Sequence, residues 1–295
     1  MNTKEFKNGV ISATLGSLWW GVLGTYFFQF ITFVGTLEVV VHRCIWTSFV
    51  LFLTTLIFKK WNLLKINLIN KKKLFILLIT SILIFCNWTA WIYAVATNRI
   101  IDASYGYFIF PILTVFFDYL FLKEKLNKKR IFSILIVLFS SIYLAFNLSM
   151  FPWIGLLVAI LWASYTLLRK LINVDTDIGL FIESLFILPI AIFVFYFIFE
   201  NGMNDFSLSN PINMFFLFLA GPMTVIPLFL FLKGVDLAGL GTSGMIFFIA
   251  PTGQFLLGIF YYNEYFDFNK LIGFIIIWIA VAIYLHDLSR EKIRN

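Results

Sequence analysis

The chain has 295 residues, of which 61% are hydrophobic and only 13% charged, with a mean hydropathy of +0.96. A water-soluble domain is about 45–50% apolar and about 25% charged. This composition therefore leaves too little polar surface for an aqueous fold and points to lipid as the solvent. The net charge of +7 sits in clusters between apolar runs, with no basic patch interleaved with aromatics, which argues against nucleic acid as a partner.

Lys4 and Lys7 precede the first apolar run, as in a signal peptide. That run carries Trp19, Trp20, Tyr26, Phe27 and Phe28 and has no small-residue cleavage site, so it reads as a retained first helix. Crossing a bilayer takes about 17–25 apolar residues. Such runs fall at 9–30, 37–58, 74–96, 102–122, 130–147, 152–170, 178–199, 211–233, 239–262 and 269–287. They predict an all-α membrane protein of ten spans whose short loops leave no room for a soluble domain. Cys44 and Cys86 both fall inside apolar runs and read as buried thiols rather than a disulfide or metal pair. His42 and His286 are the only histidines, and no Cys/His cluster has metal-ligand spacing, so no metal and no cofactor is expected.

Orientation follows from lysine and arginine, which concentrate in cytoplasmic loops. With the N-terminus inside, 19 of the 22 basic residues fall on cytoplasmic segments: those flanking the spans at 4–7, 59–73, 123–130, 169–170 and 233, and those beyond 289. Only Arg99 and Lys270 fall outside, and Arg43 lies within a span. The bias predicts that both termini are cytoplasmic.

An internal repeat divides the chain at residues 1–148 and 149–295. Residues 107–124 superpose on 247–264 at an offset of 140, bringing Phe108 onto Phe248, Ile109 onto Ile249, Pro111 onto Pro251 and Glu124 onto Glu264. In the first span of each half the offset is 142: Ala13, Ser17 and Gly21 fall on Gly155, Ala159 and Ala163, and Trp20 falls on Trp162. Small residues at every fourth position let a neighbouring helix approach closely. With five spans per half, an odd number, the second half enters the membrane inverted. Inverted repeats recur in secondary transporters, whose substrate sites lie near the midplane between the halves.

Two five-helix halves, each with an apolar-Pro span followed by a Glu near its exit, resemble the drug/metabolite transporter superfamily and its EamA domains. Several pairs and short runs are similar to the RarD-like branch. They are His42-Arg43 with Trp46, Asn87-Trp88, Gly106-Tyr107-Phe108-Ile109 before Pro111, Glu183 with Pro189, Pro227-Leu228 and Ala250-Pro251-Thr252. Asp118 departs from the pattern, which has a small or apolar residue there. The resemblance implies secondary transport of small metabolites or drugs, often outward, across a bacterial inner membrane.

Arg43 lies about six residues, or roughly 9 Å, inside the second span. A charge at such depth costs about 2.5–3.5 kcal/mol if it faces lipid. It is a candidate clamp for an anionic group in a central cavity; the alternatives are a structural lock or snorkelling to outer headgroups. Glu183 occupies the equivalent position of the second half, at offset 140. It is a candidate proton carrier or cation ligand, or else pairs with Arg169 or Lys170. His42 lies four residues after Glu38, so the two can meet on one helix face, as an interfacial pair or a proton-coupling group. Asp118, deep in the fourth span, is a further titratable candidate.

The fourth and ninth spans carry a polar stripe of Tyr107, Pro111, Thr114 and Asp118, repeated as Phe247, Pro251, Gln254 and Gly258. A mid-span proline frees the carbonyl four residues back, here those of Tyr107 and Phe247, which suits a cavity wall. The reading therefore lines the cavity with Tyr107, Pro111, Thr114, Pro251 and Gln254. Asn87 and Trp88, with Trp91, Trp20, Trp162 and Tyr165, complete an aromatic, hydrogen-bonding surface. Glu124 and Glu264 read as structural. No phosphate-binding GxxxxGK[ST] loop occurs, so energy would come from a substrate, proton or ion gradient. A membrane-embedded enzyme acting on lipid intermediates and a non-transporting scaffold are the competing classes. The first lacks a nucleophile–base pair, and the second does not need polar groups at symmetric depths.

Overall fold

The computed structural model of the chain describes residues 3–97, 100–146, 152–261 and 268–294, and these are helical with no strand among them. The first span is one continuous rod: α1 (Thr3–Leu18), a π-helical turn (Trp19–Gly24) and α2 (Thr25–Phe30). Then come α3 (Thr36–Ile57), α4 (Trp61–Ile69), α5 (Lys71–Ala96), α6 (Ile100–Phe121) and α7 (Lys128–Phe146). The second part holds α8 (Trp153–Ile172), α9 (Thr176–Glu200), α10 (Pro211–Ala238), α11 (Leu240–Ile246), α12 (Ile249–Phe260) and α13 (Phe268–Arg294). Among the described residues nine helices are long and apolar enough to cross a membrane, and Gly106–Phe121 of α6 is a shorter apolar stretch.

Local chemistry sets the helix ends. Lys59, Lys123 and Asn173 take left-handed φ values of 52°, 57° and 46°, and each follows the end of a helix, a common way to satisfy the last carbonyls. Asn210 caps α10, accepting from the Asn213 N–H at 3.3 Å, with Pro211 at the first helical position. Gly239, at φ 99°, ends α10 and turns the chain directly into α11. Lys60 ties the end of α3 to the start of α9 through Asp177 at 2.8 Å and Asp175 at 3.3 Å. Burial works against its ammonium, but the bonds and attraction to these two carboxylates outweigh it and hold its pKa above the ordinary lysine value.

Four features differ from the sequence reading. Cys86, read as a buried thiol, is exposed on α5. The segment between the second and third spans is a separate helix, α4, burying only Leu64 and Asn67; nine residues are too few to register as a span. The ninth span is broken at Phe247–Phe248. Its proline-freed carbonyl is not vacant, because the Ala250 N–H donates to the Phe247 oxygen at 2.9 Å. Arg130 and Arg169, counted as loop charges, are buried at 2% and 5% exposure. Glu264 and Arg99 lie outside the described residues.

Small residues set the packing. Gly9, Gly16 and Gly234 let α1 and α10 touch backbone to backbone, and Gly106 meets the backbone of Gly155 where α6 crosses α8. The other close pairs are α5 with α8, α3 with both α9 and α10, α5 with α9, α7 with α13, α6 with α11, and the π turn with α12. Gly21 sits against Ala250 in the last of these.

Candidate functional site

A cleft opens among the first span, α3, α5, α6, α8 and α12. Its described walls carry one charge, Arg43 of α3. The guanidinium carbon lies 4.6 Å from the ring centre of Phe28 and 4.7 Å from that of Trp88, a pair of cation–π contacts. Its Nε donates to Thr224 Oγ1 of α10 at 3.0 Å. That leaves the four N–H groups of the two terminal nitrogens, which lie in the guanidinium plane. Asn87, Tyr107 and Gln254 add polar atoms to the walls, and Asn87 is steadied by donating to the Val158 carbonyl at 3.0 Å. Trp20, Trp91 and Trp162 line the cleft together with Phe28, Trp88, Tyr107 and Phe247.

The floor is a ring cluster. Trp20 meets Trp162 edge-on at 5.3 Å, and Phe247 packs at 4.8 Å from Phe110 and 5.2 Å from Phe231. Below it Trp162 stacks on Tyr165 at 5.4 Å and 13°, and Tyr165 donates its hydroxyl to Glu183 Oε2 at 3.0 Å. Thr80 donates to Oε1 of the same carboxylate at 2.6 Å, and Arg169 Nε approaches it at 3.6 Å. Arg169 and Glu183 are thus a buried ion pair whose acid is also hydrogen-bonded, the arrangement that offsets the desolvation of two charges. Gly179 makes room for it: a side chain there would overlap the guanidinium. Lys170 plays no part, donating instead to the Val235 and Asp236 carbonyls. Glu183 lines a second, smaller pocket, and Trp88 forms part of both walls.

Of the residues singled out in the sequence, the cleft brings together Arg43, Asn87, Trp88, Tyr107 and Gln254, along with Trp20, Trp91 and Trp162. Pro111, Thr114 and Pro251 are buried off it. Thr114 bonds back to the Pro111 carbonyl at 2.8 Å and packs on Gly244 of α11. A helical stripe identifies a face but not the neighbour that covers it, and here α11 covers this one. Among the described residues no lysine forms a salt bridge with Asp118. It accepts from the Gly241 N–H at 2.6 Å, capping α11. His42 pairs with Glu38 at 3.6 Å and accepts from Trp46 Nε1 at 3.0 Å. Glu38 in turn takes the Asp205 and Phe206 N–H groups at 2.8 and 2.9 Å, pinning the loop between α9 and α10.

The sequence reading missed Gly24, Thr25, Phe28 and Ala250 as lining residues, while Phe247, whose carbonyl it assigned to a cavity wall, does line the cleft. One signal could have found the first three. Thr25 Oγ1 donates to the Trp20 carbonyl at 2.9 Å, and Thr166 Oγ1 to the Trp162 carbonyl at 3.1 Å. The same Thr-to-Trp bond spans five residues in the first half and four in the second, because the π turn takes up one extra residue. The repeat offset therefore changes from 142 to 141 across Trp19–Gly24.

Residues 7–146 and 150–285 each match the EamA-like transporter family. Protein RarD of Escherichia coli strain K12 is 30% identical over 288 residues, covering 97% of both chains. An uncharacterized transporter of Bacillus subtilis strain 168, YojE, is 34% identical over 99% of this chain and 98% of its own. A crystal structure of a protein at 13% identity shares the fold, with a TM-score of 0.68 over 95% of this chain and 97% of that one. Two matches that between them span nearly the whole chain, and relatives of its own length, make this protein a member of the EamA-like transporter family, RarD-like branch, and an integral membrane transporter.

Proposed function

We propose that the protein is a secondary transporter of ten spans, built from inverted five-span halves at 1–148 and 149–295. The halves rock about the cleft to expose it alternately to the two sides of the membrane. The observation that carries this is a symmetry of packing. Exchanging the halves pairs α1–α2 with α8, α3 with α9, α5 with α10, α6 with α11–α12 and α7 with α13. Under that exchange, the contact of α1 with α10 becomes that of α8 with α5, and α3 with α10 becomes α9 with α5. The contact of α6 with α8 becomes that of α11 and α12 with the first span, while α3–α9, α6–α11 and α7–α13 map onto themselves. Because these contacts repeat while the cleft opens on one side only, exchanging the roles of the halves would give the packing open to the other side.

The cleft is the substrate site, exposed in this conformation on the side where the first span ends and α3 begins. The opposite side is closed by the floor rings and the Arg169–Glu183 pair. Both termini are cytoplasmic. With the buried Arg130 and Arg169 removed from the charge tally, 17 basic residues remain on the inner segments against 2 outside, so the bias survives. On this orientation the cleft faces outward.

The test is reconstitution. A metabolite and drug panel is screened for ligands that raise the unfolding temperature of the purified protein, as native-state binding does. Each such ligand is then followed in proteoliposomes. Flux that needs the protein and saturates with ligand is expected. Tight ligands with no flux in either direction would refute transport and favour an enzyme or a scaffold.

A further inference from the structure

We propose that the cleft is an anion site, in which Arg43 holds a carboxylate-class group of the substrate; this rests on the reading of the cleft as the substrate site. The argument starts from the register change at the π turn. With Thr25 equivalent to Thr166, the residue before it, Gly24, stands where the second half has Tyr165, and Phe28 stands where it has Arg169. The two charged positions are equivalent as well, Arg43 matching Glu183. Each bonds to a threonine on an equivalent helix, Arg43 to Thr224 of α10 and Glu183 to Thr80 of α5.

The second half therefore completes its charge from within. Glu183 has a cation in Arg169 and a hydroxyl in Tyr165. The first half leaves both places open. Phe28 offers Arg43 a ring face but no charge, and Gly24 has no side chain where the second half has the Tyr165 phenol. Both residues line the cleft, so the missing counter-charge is a space rather than a side chain. A buried cation without a counter-charge is expensive, and its natural occupant is an anion. The geometry narrows the class. Phe28 and Trp88 lie over the guanidinium, and Nε is committed to Thr224, so the remaining donors present the in-plane fork that matches the two oxygens of a carboxylate. Trp162, 4% exposed and lining the cleft, carries an indole N–H with no acceptor among the described residues. No acidic side chain lines the described walls to oppose an anion.

The experiment needs no known substrate. Thr25→Cys is made in a Cys44→Ala/Cys86→Ser background and purified in neutral detergent. It is treated with three methanethiosulfonate reagents of similar size: a neutral one, an anionic sulfonate and a cationic trimethylammonium. The neutral reagent tests the cleft. If it does not reach Thr25→Cys, the cleft reading fails and the anion site with it. The ratio of anionic to cationic rates tests the anion site alone. With Arg43 that ratio should exceed that of Arg43→Gln by about tenfold, the size expected for a nearby unit charge acting oppositely on the two reagents. Arg43→Lys, which keeps the charge, should keep the preference. Leu208→Cys on an 89% exposed loop position gives a reference ratio within the Arg43 background, so the comparison survives if Arg43→Gln does not accumulate. A cleft ratio equal to the loop ratio, or unchanged by Arg43→Gln, overturns the proposal.

Discussion

Replacing Arg169 with methionine strips the charge partner from an acid at 2% exposure. Glu183 keeps the Thr80 hydroxyl at 2.6 Å and the Tyr165 hydroxyl at 3.0 Å, but both are neutral donors. Breaking a buried pair from one side costs about 3–5 kcal/mol, because a charge is left uncompensated. Glu183→Met should cost a similar amount by stranding the guanidinium, which is left with its bond to the Thr176 carbonyl at 3.0 Å. The double substitution removes both charges and is expected to recover most of the loss. Replacing a buried pair with apolar side chains is often neutral or stabilising by about 1–4 kcal/mol, against which the bereft Tyr165 hydroxyl costs about 1–3 kcal/mol. Thermal unfolding in detergent, followed by tryptophan fluorescence, reads this out. At about 2–4 °C per kcal/mol, each single variant should fall on the order of 10 °C and the double variant should lie close to wild type. A double variant as unstable as the two losses summed would refute the account of this cluster as a mutually dependent pair.

Gly106→Ala places a methyl group against the Gly155 backbone. Overpacking of about 1–3 kcal/mol should exceed the roughly 1 kcal/mol of helix propensity gained, so a raised melting temperature would contradict the α6–α8 contact. Lys60→Met should lower stability at neutral pH. Because the folded pKa of Lys60 is raised, its contribution is fully present below the ordinary lysine value. It is lost as pH climbs through the folded value, so the difference from wild type should close at strongly alkaline pH; a difference growing there would reverse the assignment. An impermeant maleimide should label Leu208→Cys in intact cells, and Lys72→Cys only after permeabilisation; the reverse would invert the topology.

The all-helical membrane class, the family and part of the cleft were legible because hydropathy, charge bias and the Pro–Glu spacing are properties of local sequence. Arg43 and Glu183 stood out because a charge in an apolar run needs a partner. What remained hidden depends on neighbours. Whether Thr114 faces a cavity is decided by Gly244 on a distant helix, and that Asp118 caps a helix is decided by the Gly241 N–H. Arg169 counts as a loop charge in the tally, yet it is also one of the two partners offered for Glu183, and the structure selects that pairing. Its burial was hidden because it depends on Gly179 of α9 making room for the guanidinium. The π turn escaped notice because a single extra residue in a helical run does not disturb its hydropathy, although Thr25 and Thr166 recorded the shift.

The central claim is that the two halves exchange roles, so that the inner equivalent of the outer cleft opens in turn. Thr25, in the cleft wall, and Thr166, at 0% exposure, are equivalent positions in the two halves. In the cysteine-depleted background, an impermeant thiol reagent applied to right-side-out and inside-out vesicles measures each. Thr25→Cys should react only from the outer face and Thr166→Cys, more slowly, only from the inner face. A Thr166→Cys that reacts from the same face as Thr25→Cys, or from neither, would contradict alternating access about this cleft.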